Sequence, residues 1–408
     1  MILKQEPFCN EPFEHMRLLD FFSFKNRLLA LILWGIGVQI STAQIVVGAN
    51  RTETYLPMLS EKSVAVVANA TSVIFHPNGY THLVDSLLSR GVQIKKIFTP
   101  EHGFRGEADA GAAVDNGIDL KTQLPLVSLY GSQKKPSADH LKDIDIILFD
   151  IQDVGVRFYT YIATLQLVME AAADASVSVM VLDRPNPNAK LIDGPVLQEE
   201  NASFLGLNPI PLAYGMTIGE YALMLQGEGW LRTEKPIDLT LITLEDYNHD
   251  MSYHLPIKPS PNLKSDHAIA WYPSLGLFEG TEINAGRGTP NPFERFGSPQ
   301  LSTEVFDFEY TPVSVPGARY PKHLNTLCYG RDLSEKEAPD HVCLNPLIES
   351  YKAHNGKFFR EDSFAKHSGR SELQGQIESG MNEEEIRASW KGELEAFKSI
   401  RLKYLRYP

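Results

Sequence analysis

"IDIILFD", residues 144 to 150, is an apolar, β-branched run that ends on a carboxylate and leads into "IQDVGVRFYTYI". A continuous apolar run of this length suits a strand buried on both faces of a parallel sheet. Three further stretches have the same form: "SVAVVANA" from Ser63, "IKKIFTP" from Ile94 and "VSVMVLD" from Val177. Helical patterns separate them, namely "HLVDSLLSRG" closing at Gly91 and "TYIATLQLVMEAAADA" from Thr160 to Ala175. Strand and helix alternating in this way read as βαβ units with right-handed crossovers, an α/β doubly wound layer.

Each run ends in polar residues. The first closes at Asn69, the second in Pro100-Glu101-His102-Gly103, the third in Asp150-Ile151-Gln152-Asp153 and the fourth in Asp183-Arg184-Pro185-Asn186. One such residue has a plain role, capping a helix or making an Asx-turn. Four on one edge point to a pocket, because ligands of open parallel sheets bind outside the carboxyl ends of the strands. Glu101 stands beside Gly103 and Gly106, which allow close backbone approach, and beside Arg105, a candidate anion holder. The third cluster adds Arg157, Tyr159 and Tyr161. Asp153 with Arg157 reads equally as an internal ion pair, and the tyrosines as core or as faces for a sugar ring. Glu170, in mid-helix, is expected to face solvent or a neighbouring helix.

"PIKPSP", residues 256 to 261, is the best internal break, since proline removes ladder donors and biases its neighbours to extended geometry. Beyond it, "FEGTEINAGRGTPNPFERFGSP", residues 278 to 299, carries Glu279, Glu282, Asn284 and Arg287 among glycines. It reads as a loop folding over the pocket or as ordinary surface. The chain closes with "NEEEIRASWKGELEAFKSI", in which Asn382 is the N-cap and Glu385 completes a capping box. Ile386, Trp390, Leu394 and Phe397 then form one apolar face.

With 408 residues, 43% hydrophobic, the chain can bury a sizeable core. Its net charge of −13 argues against a nucleic-acid partner, which wants a basic patch. Lys25 and Arg27 precede "LLALILWGIGV", and Ser41 and Ala43 precede Gln44, the order of a secretory signal peptide over residues 1–43. The expectation is export to the periplasm or outside, with no stable membrane anchor after cleavage. Cys328 and Cys343 then remain, as a disulfide or as two thiols; neither has the C-x-x-C spacing of a zinc site. No G-x-G-x-x-G follows the first strand, and neither G-x-x-x-x-G-K-[ST] nor G-x-S-x-G occurs. No cofactor is expected. His102 with Asp150 and Asp153 is a conceivable metal set without supporting ligand spacing.

"PEHGFRGEADAGAAV", "FDIQDVGVRFYTYIATL", "LDRPNPNAKLIDGP", "GMTIGE", "PSPN", the stretch from Phe278 and "SGMNEEEIRASW" together resemble the bacterial exo-β-N-acetylmuramidase family, formerly a domain of unknown function. The resemblance runs from about Ser63 to the C-terminus. It implies a Rossmann-like catalytic domain, residues 44–252, and a smaller C-terminal α+β domain, residues 253–408, closing a cleft. It also implies release of N-acetylmuramic acid from the non-reducing end of peptidoglycan fragments, and it places the family's conserved acid on Glu101. Tyr214 is a departure, since many members carry histidine there. Glycoside hydrolysis ordinarily uses two carboxyl groups. Glu101 is the expected acid, with Asp153 or Asp150 favoured over Glu279 as its partner. Asn69, His102, Arg105, Gln152, Arg157, Tyr159, Arg184, Asn186, Glu279 and Arg287 are the expected substrate contacts, an arginine among them gripping the lactyl carboxylate. The competing readings are a binding module for wall sugars and a metal-dependent hydrolase.

Overall fold

Seven strands make the central sheet: β1 (Ser63–Ala68), β2 (Gln93–Thr99), β3 (Gly117–Ile118), β4 (Pro125–Ser128), β5 (Ile146–Asp150), β6 (Ser178–Leu182) and β7 (Leu239–Ile242). Their order is β7-β6-β5-β1-β2-β4-β3, parallel throughout except for the short β3–β4 pair. This is a computed structural model, and it describes residues 44–105, 116–360 and 362–408. The expected signal segment and Gly106 lie outside the described residues.

The central strands are apolar without alternation because both faces are covered. Ile147 and Phe149 of β5 join one core cluster together with α2 (Tyr161–Ala175) and α3 (Ile218–Gly227). Ile146 and Leu148 join a second cluster on the other face, where α1 (Leu83–Ser89) contributes Leu83, Val84 and Leu87. A strand with period two has thus found core on both sides. α2 is itself buried almost all round, and Glu170 goes inside with it: Gln166 Nε2 and Arg232 N donate to its Oε1, both at 3.1 Å.

The smaller C-terminal part holds a three-stranded antiparallel sheet, β8 (Arg295–Ser298), β9 (Phe308–Tyr310) and β10 (Cys328–Asp332), with β10 in the middle. Between the sheets lies α4 (Asp266–Leu275), and the chain ends in α5 (Glu383–Arg401). The capping box of α5 is present as expected, with Asn382 Oδ1 accepting from Glu385 N at 3.0 Å and Glu385 accepting from Asn382 N at 2.9 Å. Ile386, Trp390, Leu394 and Phe397 are buried. Cys328 and Cys343 are both free thiols.

Several polar residues at the strand ends tie the sheet edge together. Asp150, fully buried, takes two bonds from the Arg184 guanidinium, at 2.6 and 2.9 Å, and Arg184 also donates to Val73 O at 2.9 Å. Gln152 donates from Nε2 to the carbonyls of Asp153 and Pro185, and Asn186 donates to Met216 O. Asn69 accepts from Thr71 N and Oγ1. Gly155, at φ +74°, comes so near Asn186 that an added Cβ would lie 2.3 Å from its Nδ2. Removing one partner of a buried ion pair leaves an uncompensated charge, whereas removing both does not. Asp150→Ala is expected to cost about 3–5 kcal/mol in urea unfolding, and Asp150→Ala with Arg184→Met to recover much of that loss.

Candidate active site

β2 ends at Thr99, and the chain turns with Gly103 N donating to Pro100 O at 3.1 Å. His102 and Gly103 are both left-handed, at φ +70° and +75°. A non-glycine residue held there stores about 1–3 kcal/mol of strain. The turn buries the His102 ring and leaves Glu101 half-buried at the carboxyl edge of the sheet. Thr160 Oγ1 donates to Glu101 Oε2 at 3.0 Å, and Tyr161 OH donates to its main-chain oxygen at 3.4 Å. Tyr130, just beyond β4, also hydrogen-bonds the Glu101 side chain; burial first, then this carboxylate, pushes its hydroxyl well above the usual tyrosine range.

The opposite wall comes from the second half of the chain. Glu279 sits in the 3₁₀ turn Gly276–Gly280 that continues α4, and its Oε1 accepts from Arg287 Nε at 3.0 Å. Burial pushes the Glu279 carboxyl up, but Arg287, Lys322 and His367 outweigh it and hold the pKa at about 2. Burial likewise opposes the charge on Arg287, and Glu279 outweighs it, so this guanidinium stays above its usual value. Lys322 Nζ donates to four carbonyls, those of Phe278, Glu279, Thr281 and Ile283, at 2.7 to 3.1 Å. Burial draws its pKa down to about 8, and Glu279 pulls the other way. Lys322 thereby clamps the turn that carries Glu279.

A cavity of about 960 Å³ lies between these walls, with Glu101, Glu279 and Arg287 all on its surface. Its size falls in the range of small-molecule sites. Tyr130, Phe158, Phe204, Tyr272 and Tyr320 supply aromatic faces, with Phe158 edge-on to Tyr272 at 5.1 Å and Lys134 over the Phe204 ring at 4.7 Å. Among the described residues, Lys134, Arg287, Arg319, Lys322, Arg360 and Lys366 line the cavity beside two carboxylates, Glu101 and Glu279. A basic cavity in a chain of net charge −13 suits an anionic ligand.

The other sequence-expected residues, His102 among them, do not line the cavity, and most have an internal use. Asp150 and Arg184 neutralise one another in the core. Arg105 is spent on Asp119, at 2.8 and 2.9 Å, and lies 3.5 Å from Asp85. Arg157, read either as a partner of Asp153 or as a substrate contact, instead donates to the carbonyls of Pro195, Ile210, His367 and Ser368. Tyr159 donates to Pro259 O at 2.6 Å, while Asn69, Gln152 and Asn186 fix the loops described above. Asp153 is buried, its Oδ2 accepting from Tyr214 OH and Gly155 N. Burial pushes this carboxyl up to about 6. Asp150 and Asp153 thus lie off the cavity, whereas Glu279, ranked behind them in the sequence, lies on it. Tyr130, Lys134, Tyr272, Lys322 and His367 escaped the sequence reading. "LVSLYG", residues 126 to 131, was the available signal for Tyr130, a fifth apolar run closing on a polar residue.

The sequence pattern of the N-terminal domain of exo-beta-N-acetylmuramidase NamZ matches residues 64–267, and that of its C-terminal domain matches residues 270–407. The chain belongs to the NamZ family. Peptidoglycan beta-N-acetylmuramidase NamZ of Bacillus subtilis (strain 168) is 37% identical over 375 residues, covering 86% of this chain and 89% of that protein. A DUF1343 family protein of Bacteroides fragilis NCTC 9343, solved by crystallography, is 41% identical with a TM-score of 0.81, over 90% of this chain and 99% of that one. A second DUF1343 protein of the same organism is 27% identical with a TM-score of 0.75, over 89% of this chain and 99% of its own. Both NamZ segments furnish the cavity: Glu101, Tyr130 and Thr160 come from the first, and Tyr272, Glu279, Arg287 and Lys322 from the second.

Asp153 allows a test of its buried role that is separate from activity. Its folded pKa, about 6, lies above the unfolded value of 3.8. Its contribution to stability is therefore fully present below pH 3.8 and is lost as pH rises through about 6. Asp153→Asn keeps an oxygen for Tyr214 and Gly155 and cannot titrate. Urea unfolding of this variant between pH 4 and pH 7 is expected to lack roughly 2 kcal/mol of the decline seen in the unsubstituted protein.

Proposed function

We propose that the chain is an exo-acting glycoside hydrolase that releases N-acetylmuramic acid from the non-reducing end of peptidoglycan fragments. Glu101 is the general acid and Glu279 the ionised partner. The observation that carries this reading is the placement of these two carboxyl groups on one aromatic-walled, basic cavity, each in a different electrostatic setting. Glycosidases divide labour between a carboxyl that gives a proton to the leaving oxygen and a carboxylate that faces the oxocarbenium-like centre. Glu279, held ionised by Arg287 and Lys322, suits the second task. The hydroxyls of Thr160 and Tyr130 hold the Glu101 carboxyl in one orientation, as a positioned proton donor requires.

Muramic acid differs from glucosamine by a lactyl ether that ends in a carboxylate. Of the four arginines expected to meet it, Arg105, Arg157 and Arg184 are spent elsewhere, so Arg287 takes this role, supported by the basic wall. In this reading residues 44–252 supply the general acid, and residues 253–408 close the cleft and supply its ionised partner. The charged, apolar and small-residue order before Gln44 supports export to the periplasm or beyond, where wall fragments occur; a mature N-terminus near Gln44 is the check.

Glu101→Gln is expected to lower turnover of a muramyl disaccharide by about 10² to 10⁴ while the fold persists. On a nitrophenyl muramide, whose leaving group needs little protonation, the loss is expected to be smaller. Equal losses on both substrates would assign Glu101 a nucleophilic or electrostatic task. Retention of muramyl saccharides by the unsubstituted protein without any release would mark a binding module instead. Arg287→Lys keeps the charge and removes the planar fork. It is expected to narrow the preference for muramic over glucosamine substrates by about tenfold to a hundredfold in kcat/KM, from a charge-assisted bond of roughly 1.5–3 kcal/mol.

A further inference from the structure

Away from the cavity, a loop of the C-terminal part brings three metal-ligating side chains together. One atom each from His341, Cys343 and Glu383 lie within 4.8 Å of one another, and none of the three residues lines the cavity. We propose that His341, Cys343 and Glu383 form a zinc-binding site that ties this loop to the first turn of α5.

The donor set is the first reason. An imidazole nitrogen, a thiolate sulfur and a carboxylate oxygen are the ligand types that zinc takes, and softer or harder ions discriminate against part of the set. The second reason is the arrangement behind the histidine. His341 Nδ1 lies 2.9 Å from Asp340 Oδ1, which turns Nε2 toward Glu383 Oε1 at 3.4 Å. A carboxylate on the far nitrogen fixes the tautomer and raises the basicity of the ligating one, as in carboxylate–histidine–zinc triads.

The loop is also held by main-chain donors, one to a member of the cluster and two to groups outside it. Leu344 N donates to Glu383 Oε1 at 2.8 Å, Cys343 N donates to Ser274 Oγ at 2.9 Å, and Val342 N donates to Asp193 Oδ2 at 2.7 Å. Arg387, a neighbouring cation one turn along α5, is neutralised by the same Asp193 carboxylate at 2.5 Å. Cys343 Sγ lies 4.0 Å from Glu383 Oε2. Bonds of about 2.0–2.3 Å at tetrahedral angles put donor atoms roughly 3.3–3.6 Å apart, so the set closes on an ion with shifts on the order of 1 Å. His341, Cys343 and Glu383 are only partly buried, and water completes the fourth position.

The ion's task is to cross-link two segments that are 40 residues apart in sequence, Cys343 and Glu383. The site adds holding force to the C-terminal part and leaves the chemistry of the cavity alone.

The test uses the full chain, stripped with a chelator, desalted and titrated first with cobalt(II) and then with zinc(II). One equivalent of cobalt is expected to raise a thiolate-to-cobalt charge-transfer band with the intense visible bands of a tetrahedral site, and one equivalent of zinc to abolish both. Zinc is expected to raise the Tm of the unsubstituted protein and to leave that of Cys343→Ser unchanged. Asp340→Ala, at an exposed position behind the ligands, is expected to weaken zinc binding by about tenfold to a hundredfold with the cobalt spectrum retained. Absence of the charge-transfer band in the unsubstituted protein overturns the proposal whatever the variants do. Persistence of that band in Cys343→Ser also overturns it, since the thiolate would then belong to another cysteine.

Discussion

Arg157 is a guanidinium with no exposed surface, and its partners are four main-chain carbonyl oxygens drawn from Pro195, Ile210, His367 and Ser368. Burial pulls its pKa down to about 9, yet the carbonyl dipoles let it stand in the interior as a cation. It follows β5 in the chain and reaches residues more than 200 positions later, so it joins the loop above the sheet to the segment that carries His367. Gly369 packs against it so closely that an added Cβ would lie 2.4 Å from Nη2. Phe158, the next residue, enters the cavity beside His367 at a ring distance of 6.0 Å. The cavity keeps its shape because this cation is placed between its two sources of residues.

Lys322 repeats the device on the other wall. Its four carbonyl partners belong to Phe278, Glu279, Thr281 and Ile283, so the ammonium gathers the main-chain oxygens of the turn around one charge. The turn carries Glu279, whose ionised state depends on Arg287 and on Lys322 itself. Position and charge of one carboxylate thus come from the same two cations. Across the cavity, Glu101 is oriented by neutral hydroxyls, those of Thr160 and Tyr130. Two carboxyl groups with unlike surroundings are what acid catalysis beside an anionic stabiliser needs.

Much of the fold was legible in the sequence because burial on both faces leaves a plain mark. β1, β2, β5 and β6 fall within one or two residues of their apolar runs, and α5 begins at its capping box. β4 is shorter, with Pro125 exposed and Leu126 half-buried, and its run drew no notice; Tyr130 was missed along with it. The polar strand ends were legible as a group and misleading one by one. Asp150, Gln152, Arg184 and Asn186 stand at the expected edge, yet their partners are other protein atoms.

The sequence by itself determined the main strands and helices, the carboxyl edge of the sheet and the place of Glu101 on it, because each follows from local periodicity or from a motif read along the chain. Only the tertiary structure decided which charged residues face the cavity and which neutralise one another. Asp150 and Glu279 are both carboxylates beside glycine- or proline-containing loops; one meets Arg184 in the core, and the other meets Arg287 on the cavity wall. The physical reason is that burial and charge pairing act through space. Residues such as Arg157 and His367, or Cys343 and Glu383, are far apart in the chain and become neighbours only when the core has formed.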